Sequence, residues 1–269
     1  VAVGRLIRAV MDFGFPWSCA VCRAAFEGPG PLCADCSNEL RSLEDEPCCG
    51  ACAMSLPMLG SPCPYCMGKG PPNFERVVRL TAFHDPARQM IHHLKYHRRW
   101  GIGEELAHRL LEHERVKALL QQTQALVPVP LHWRRQVTRG YNQAEVIAQQ
   151  LHCFYRKIPV VRAVRRVRNT ETQIHQHSPA RRAANLKGAF ALKRSAKLTG
   201  KHVVIVDDVW TSGATMQEMA RALKPAKPAS ISAIVIATAD PRGSSGSRRN
   251  SILNARSLNE DRRARNEPA

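Results

Sequence analysis

The sequence predicts an α/β chain: a mostly parallel sheet with helices on its faces, preceded by a small cysteine-rich segment. Three observations carry that expectation. From Phe74 to Ala239, short apolar runs alternate with stretches of helical period, as strands and helices do in a layered α/β domain. Nine of the ten cysteines crowd between residues 19 and 66. At 269 residues and 44% hydrophobic content the chain can bury a sizeable core, yet 40 Lys and Arg against 22 Asp and Glu leave it at +18. A surface that basic attracts phosphate, on nucleic acid or on a small anionic substrate. At this level a simply basic, soluble surface accounts for the charge equally well.

At the N-terminus, VAVGRLIRAVMDFGF places Leu6, Val10 and Phe13 at helical spacing, which predicts a short amphipathic helix. Arg5, Arg8 and Asp12 interrupt it, so it makes a poor secretory signal. No stretch approaches the roughly 20 consecutive apolar residues of a membrane span. A cytoplasmic protein is expected.

The cysteines form a repeat. Cys19, Cys22, Cys33 and Cys36 make two C-x-x-C pairs, and 30 residues later Cys49, Cys52, Cys63 and Cys66 do the same, with Gly30 and Gly60 in step. Each C-x-x-C turn presents two thiolates to one ion, and two turns complete a tetrahedral four-sulfur zinc site. A disulfide framework is the competing use of such cysteines, but it belongs to small secreted proteins. Each unit has too few apolar residues to fold unaided, so two structural zinc ions are expected, with no open position for catalysis. One ion per repeat is the simplest pairing; a cross-braced pairing is the alternative. Cys48 is a spare beside Cys49, and Cys153, alone in an apolar helical stretch, is expected to pack.

Pro71 and Pro72 close this segment, which gives domain boundaries of 1–73 for the helix and double ribbon and 74–240 for the α/β domain. VVRLTAF (77–83) reads as a strand, 86–96 as a helix and 104–123 as one longer amphipathic helix. ALVPVP (125–130) reads as a short buried strand and 142–154 as a helix. A basic stretch fills 162–187. HVVIVDD (202–208) is the most apolar strand, followed by a helix over 215–224 and a strand over 230–239. Residues 241–269 are polar, aperiodic and rich in Arg, Ser and Asn, the composition of a disordered tail.

Chemistry concentrates in VVIVDDVWTSGAT, residues 203–215. Ligands of open parallel sheets sit beyond the carboxyl ends of the strands, where Asp207 and Asp208 stand. TSGAT then opens a helix, whose free amides and dipole suit an anion. Gly213 admits a close backbone approach, and Thr211, Ser212 and Thr215 add hydroxyl donors. A phosphate on a sugar fits: amides and hydroxyls for the phosphate, acids for the ribose hydroxyls. Neither a P-loop lysine nor the full glycine set of a dinucleotide fold is present.

This run resembles the PRPP-binding motif of the type I phosphoribosyltransferases, departing from it at Trp210, where that family usually has an aliphatic residue. The cysteine pairs, IHHLKYHRR (91–99), VPVPLHWRRQVTRGYNQAE (127–145), RRVRNTETQ (165–173) and RRAANLKGAF (181–190) together resemble the ComF/GntX group of competence-associated phosphoribosyltransferase-like proteins, from about residue 17 to 240. The resemblance implies a type I phosphoribosyltransferase fold behind the zinc ribbons. It implies ribose contacts from Asp207 and Asp208, and a 5′-phosphate cradle from Thr211, Ser212, Gly213, Ala214 and Thr215. The loop LHWRRQ, with Arg134 and Arg135, corresponds to the pyrophosphate loop of that family, and Arg166 and Arg168 of the basic segment join it. Mg²⁺ is expected with PRPP or a related ribose phosphate. Single-stranded DNA and DNA-uptake proteins are the implied partners.

The residues agree with these implications. Arg139, Asn142 and Gln143 of RGYNQ stand at the start of a helix, and Lys95 and Tyr96 of LKY suit a hood over the site. Residues 162–194 hold nine Lys or Arg and one acid, so the segment extends by self-repulsion until an anion neutralises it, as a closing loop or as a solvated one. His93 and His97, four apart, mimic a metal site but lack a third ligand at a telling spacing, and an anion-facing surface is expected there. Two functions follow from the sequence: a PRPP-dependent transferase, or a single-stranded nucleic-acid-binding protein that keeps the fold as a scaffold.

Overall fold

A computed structural model describes residues 17–28, 30–96, 100–168, 185–194 and 196–240. The expected N-terminal helix, most of the basic segment and the tail lie outside them. The ribbon segment contributes β1 (Trp17–Ser18), β2 (Ala25–Phe26) and α1 (Ala34–Glu44). The chain continues with β3 (Val77–Ala82), α2 (Ala87–Tyr96), α3 (Trp100–Glu112), α4 (Glu114–Gln122), β4 (Ala125–Pro128), α5 (Trp133–Arg139) and α6 (Gln143–Phe154). Then come β5 (Val164–Arg166), β6 (Phe190–Leu192), β7 (His202–Trp210), α7 (Ala214–Leu223) and β8 (Ser230–Thr238).

The sheet runs β3-β8-β7-β4 with every pair parallel. Its strands read as near-continuous apolar runs because both faces are covered. Alternation along each strand assigns the faces. Val78, Leu80, Leu126, Val204, Val206 and Ile234 meet Met90, Leu94, Leu106, Leu110 and Ile147 from α2, α3 and α6 on the first face. Val77, Val127, Val203, Ile205, Ala233 and Val235 meet Met216, Met219 and Leu223 of α7 on the second. The antiparallel β5–β6 hairpin adds Val164 and Phe190 to that second face.

The two cysteine repeats go to opposite faces. Cys19, Leu32, Cys36 and Leu40 join the first core, and Cys49, Cys52, Met54 and Cys63 join the second. The α/β architecture expected from the sequence is present, with strands and helices near their expected bounds. Four differences have physical reasons. Residues 104–123 are two helices, because His113 adopts an extended ψ of 119° and starts α4 afresh. In α1, Cys36, Leu40 and Leu43 are buried at helical spacing, a period hidden in the sequence by reading cysteines only as ligands. LHWRRQ is not a loop: helix α5 begins at Trp133. Cys153 is exposed on α6 and does not pack.

Candidate functional site

Asp207 and Asp208 lie in β7 just past the point where its neighbour stops, since the last β4 pair is Pro128 with Val206. On the other side β7 stays paired with β8 to Trp210, two residues further than the sequence suggested. The acids therefore stand in a half-open crevice at the carboxyl edge of the sheet. Strand alternation turns Asp208 to the first face and Asp207 to the second. Asp208 Oδ2 lies 3.0 Å from Nζ of Lys95, the penultimate residue of α2. Asp207 Oδ1 accepts the Asp208 amide at 2.9 Å and forms no ion pair among the described residues. Burial, then the adjacent Asp208 charge, push the Asp207 carboxyl up to about 7; the Lys95 and Arg166 charges draw it part of the way back.

Gly213 caps α7 in the left-handed region, φ +74°. A Cβ there would sit 2.8 Å from Cζ2 of Trp210, so both the conformation and the space demand glycine. The Trp210 ring, buried and edge-on to Phe74 at 5.3 Å, lies beneath Gly213 at the position where the resembling motif usually has an aliphatic residue. Thr211 is exposed, and Ser212 and Thr215 are half-buried. The first-turn amides of α7 have no intrahelical acceptor, and no acidic side chain occupies that turn. Anion binding suits this end of the helix.

The four arginines separate. Arg166 ends β5 with its guanidinium over the Phe190 ring, 5.4 Å to the centroid, and its charge reaches Asp207. Arg168 donates to the Lys187 carbonyl at 2.8 Å, closing the root of the hairpin. Arg134 and Arg135 belong to α5, and their side chains lie outside the described residues. The hairpin root is tied to α7, where the Gly188 amide donates to Glu218 at 3.2 Å. The Lys95–Asp208 contact was not readable in the sequence. Its one signal was the LKY motif, 113 residues upstream of the acid.

Both cysteine sets close. In each, all four sulfurs lie within 4.8 Å of one another, Cys19 with Cys22, Cys33 and Cys36, and Cys49 with Cys52, Cys63 and Cys66. The pairing is sequential, not cross-braced. Separations of 3.6 Å for Cys22–Cys33, 3.6 Å for Cys49–Cys66 and 3.5 Å for Cys52–Cys63 approach the edge of about 3.8 Å that four sulfurs about 2.3 Å from zinc define. They far exceed a disulfide bond. Burial opposes ionisation of Cys19 and Cys49, but hydrogen bonds, led by those from Cys33 and Cys52 respectively, outweigh it and hold the thiols down to about 6 and about 7. Burial pushes Cys36 and Cys52 up. Four-sulfur sets of this shape fit structural zinc. Cys48 stays outside its set, accepting from Arg115 Nη1 at 3.0 Å. Among the described residues no other group of three potential ligands converges, and His97 lies outside them. No described helix is long and apolar enough to cross a membrane.

Comparison with known proteins agrees with this geometry. The phosphoribosyl transferase domain family matches residues 137–261, and the double zinc ribbon domain family matches residues 10–67. DNA utilization protein YhgH of Escherichia coli (strain K12) is 37% identical over 216 residues, covering 77% of this chain and 91% of its own. Competence protein F of Haemophilus influenzae is 31% identical over 220 residues, covering 80% and 93%. Competence protein ComFC of Bacillus subtilis (strain 168) is 32% identical over 114 residues, covering 41% and 43%.

Proposed function

The chain belongs to the family of the DNA utilization protein YhgH and competence protein F, and from that premise we propose that it is a phosphoribosyltransferase that binds PRPP–Mg²⁺ at the carboxyl edge of β7. The observation that carries this reading is the adjacency of two acids, Asp207 and Asp208, to a glycine-capped helix start, with Lys95 on one side and the Arg166 charge on the other. The ribose hydroxyls donate to the acids. The amides and hydroxyls of residues 211–215 hold the 5′-phosphate, and Arg166, with Arg134, Arg135 and Arg168 as further candidates, faces the diphosphate. The C1–O bond breaks with its electron pair leaving on the diphosphate, and C1 bonds to the acceptor nucleophile. Mg²⁺ arriving with PRPP would supply charge neutralisation for that leaving group, with Asp207 and Asp208 the nearest acids of this chain. The ribbons, residues 1–73, each hold one zinc and contribute folding energy, while residues 74–240 carry the site and 241–269 form a tail. Ten unbridged cysteines suit a cytoplasmic setting.

Calorimetric titration with PRPP–Mg²⁺ tests the assignment. Asp207→Asn combined with Asp208→Asn removes charged acceptors worth about 1.5–3 kcal/mol per hydrogen bond, so affinity falls by orders of magnitude. Parent-like binding by the double variant would remove the acids from the site.

A second partner is supported by the +18 charge and by relatives named for competence and DNA utilization. Single-stranded DNA binds the basic segment around residues 162–194, and DNA-uptake proteins are its functional neighbours. Affinity for single strands falls with log salt at a slope of about −0.7 per phosphate neutralised. Replacing Arg165, Arg166 and Arg168 with Ala flattens that slope by roughly two units in an oligonucleotide titration. An unchanged slope moves the DNA site to the ribbons or the tail.

A further inference from the structure

The R-G-Y-N-Q run, residues 139–143, has a job that its position between two helices does not reveal. Gly140, at φ +80°, makes the turn. The buried Tyr141 hydroxyl donates to the carbonyl of Leu94, one residue before Lys95. The Arg139 guanidinium covers the ring of Tyr96, 5.0 Å to the centroid, and lies 3.4 Å from both the Tyr96 hydroxyl and Gln143 Oε1. Asn142 donates to the Val129 carbonyl at 2.9 Å, just past the end of β4, and accepts from Ala144. Arg139 and Tyr141 thus hold the last turn of α2, and Asn142 anchors the same run beyond the end of β4, at the carboxyl edge of the sheet. What that clamp delivers is Lys95, whose ammonium rests on Asp208.

That contact competes with the use of Asp208 as a ribose acceptor, because the ammonium takes one acceptor site of Oδ2 and balances the carboxylate's charge. Resting on the PRPP reading of the site, we infer that Lys95 is an exchanging counterion. In the ligand-free protein it neutralises Asp208. When PRPP binds, it releases that carboxylate to a ribose hydroxyl and moves to the diphosphate. The exchange is short, since the 2-hydroxyl oxygen and the diphosphate oxygen sit on adjacent ribose carbons, and rotation about the last Lys95 bonds spans the gap. It is also favourable, because the diphosphate keeps net negative charge beside Mg²⁺ and offers several acceptor oxygens to the ammonium, and charge builds on it as the C1–O bond breaks. Lys95 remains an ammonium throughout. As the C1–O bond breaks, the electron pair goes to the diphosphate oxygen, and Lys95 holds the charge that develops there without giving up a proton. Tyr141 and Arg139 act through it as positioning residues.

The experiment compares two ligands that differ in the diphosphate, ribose 5-phosphate and PRPP–Mg²⁺, by calorimetry on the full chain. Lys95→Met should bind ribose 5-phosphate at least as tightly as the parent, because Asp208 is uncovered, and PRPP about tenfold or more weakly. Lys95→Arg should recover most of the PRPP affinity. Tyr141→Phe, which leaves Lys95 intact but unclamps it, should weaken PRPP by a smaller factor and spare ribose 5-phosphate. Equal losses for both ligands in Lys95→Met would reduce Lys95 to a structural group, and no loss for either would remove it from the site; each overturns the inference while leaving PRPP binding intact. A parent protein that binds neither ligand overturns the PRPP reading itself, and this inference with it.

Discussion

Two faces of one sheet carry the same parts and finish them differently. Each receives a four-cysteine ribbon, docks it near a buried arginine, and turns one acid of the Asp207–Asp208 pair toward its own side. On the first face the charges are paired directly. Arg109 is buried between Glu105 at 2.6 Å and Glu44 at 3.0 Å and donates to Ser37 of the ribbon helix at 2.6 Å, and Asp208 meets Lys95. On the second face Glu218 of α7 meets Arg221, but Arg79 and Asp207 have no such partner among the described residues. Arg79 donates to the hydroxyls of Ser55 and Thr238 at 2.8 and 2.6 Å, but its Nη2 is buried without an acceptor and it makes no ion pair among the described residues. Burial pulls its pKa down, partly opposed by Cys48 and Glu46. Asp207 likewise forms no ion pair among the described residues, although the Lys95 and Arg166 charges reach it. A buried charge without a partner is costly unless something supplies the counterion. Four thiolates around one zinc make a net dianion, and the second ribbon lies over Arg79. Arg109 on the first face is balanced by protein carboxylates, whereas Arg79 on the second would be balanced by the zinc site of the ribbon above it.

The largest effect should come from metal. A structural zinc contributes about 10 kcal/mol or more of apparent binding energy. Cys22→Ser and Cys52→Ser should each lower the metal content from about two zinc ions per chain to about one. The loss in Cys52→Ser should reach further, because it also strips Arg79 of its counterion. Hydrogen exchange should then quicken in β3 and β8, while Cys22→Ser loosens mainly α1 and β1–β2. Equal exchange in the two variants would break the comparison.

The arginines come next. Arg109→Met leaves Glu44 and Glu105 without their cation, a loss of about 3–5 kcal/mol with zinc bound; because Glu44 and Ser37 belong to α1, the loss should shrink after chelation but keep its sign. Arg79→Met should behave conditionally. With zinc bound it should lower the thermal midpoint and speed zinc release to a chelator; with zinc removed it should be more stable than the metal-free parent, having shed an uncompensated charge. A penalty that ignores the metal would mean that Ser55 and Thr238 satisfy Arg79 by themselves.

The sequence made one side of this comparison visible and hid the other. VVIVDDVWTSGAT was legible because its chemistry is local: strand, acids, glycine cap and helix follow within thirteen residues. The cysteine sets were legible because metal ligation imposes spacing. What lay hidden depends on contacts between distant segments. Lys95 reaches Asp208 across 113 residues, and Arg79 looks like any charged residue in a strand until the second ribbon covers it. The assignment of two equally spaced repeats to opposite faces is not written in the cysteine pattern of either. Their spacing is the same, and only the chain between and after them decides where each one packs.

The smallest effect is also the one with opposite signs on the two faces. Asp208→Asn leaves Lys95 facing a neutral amide, so it should lower stability by about 1 kcal/mol near neutral pH. Asp207→Asn should do the reverse. The folded-state pKa of Asp207 is raised to about 7, above an unfolded value of about 3.9, so the folded chain holds the extra proton between those limits. Stability contributed by that proton is present below about pH 4 and is lost as pH rises through about 7. Above that point the parent carries the cost of a half-buried carboxylate beside another, and Asp207→Asn does not. Its thermal midpoint should match the parent at pH 4 and exceed it at pH 8, in the absence of ligand. The same titration governs binding with the opposite sense: a ribose hydroxyl needs Asp207 as an acceptor, so PRPP affinity should climb as pH passes through about 7 and then level. A midpoint difference that does not change with pH would place the Asp207 charge in solvent contact already, and the second face would then be as self-sufficient as the first.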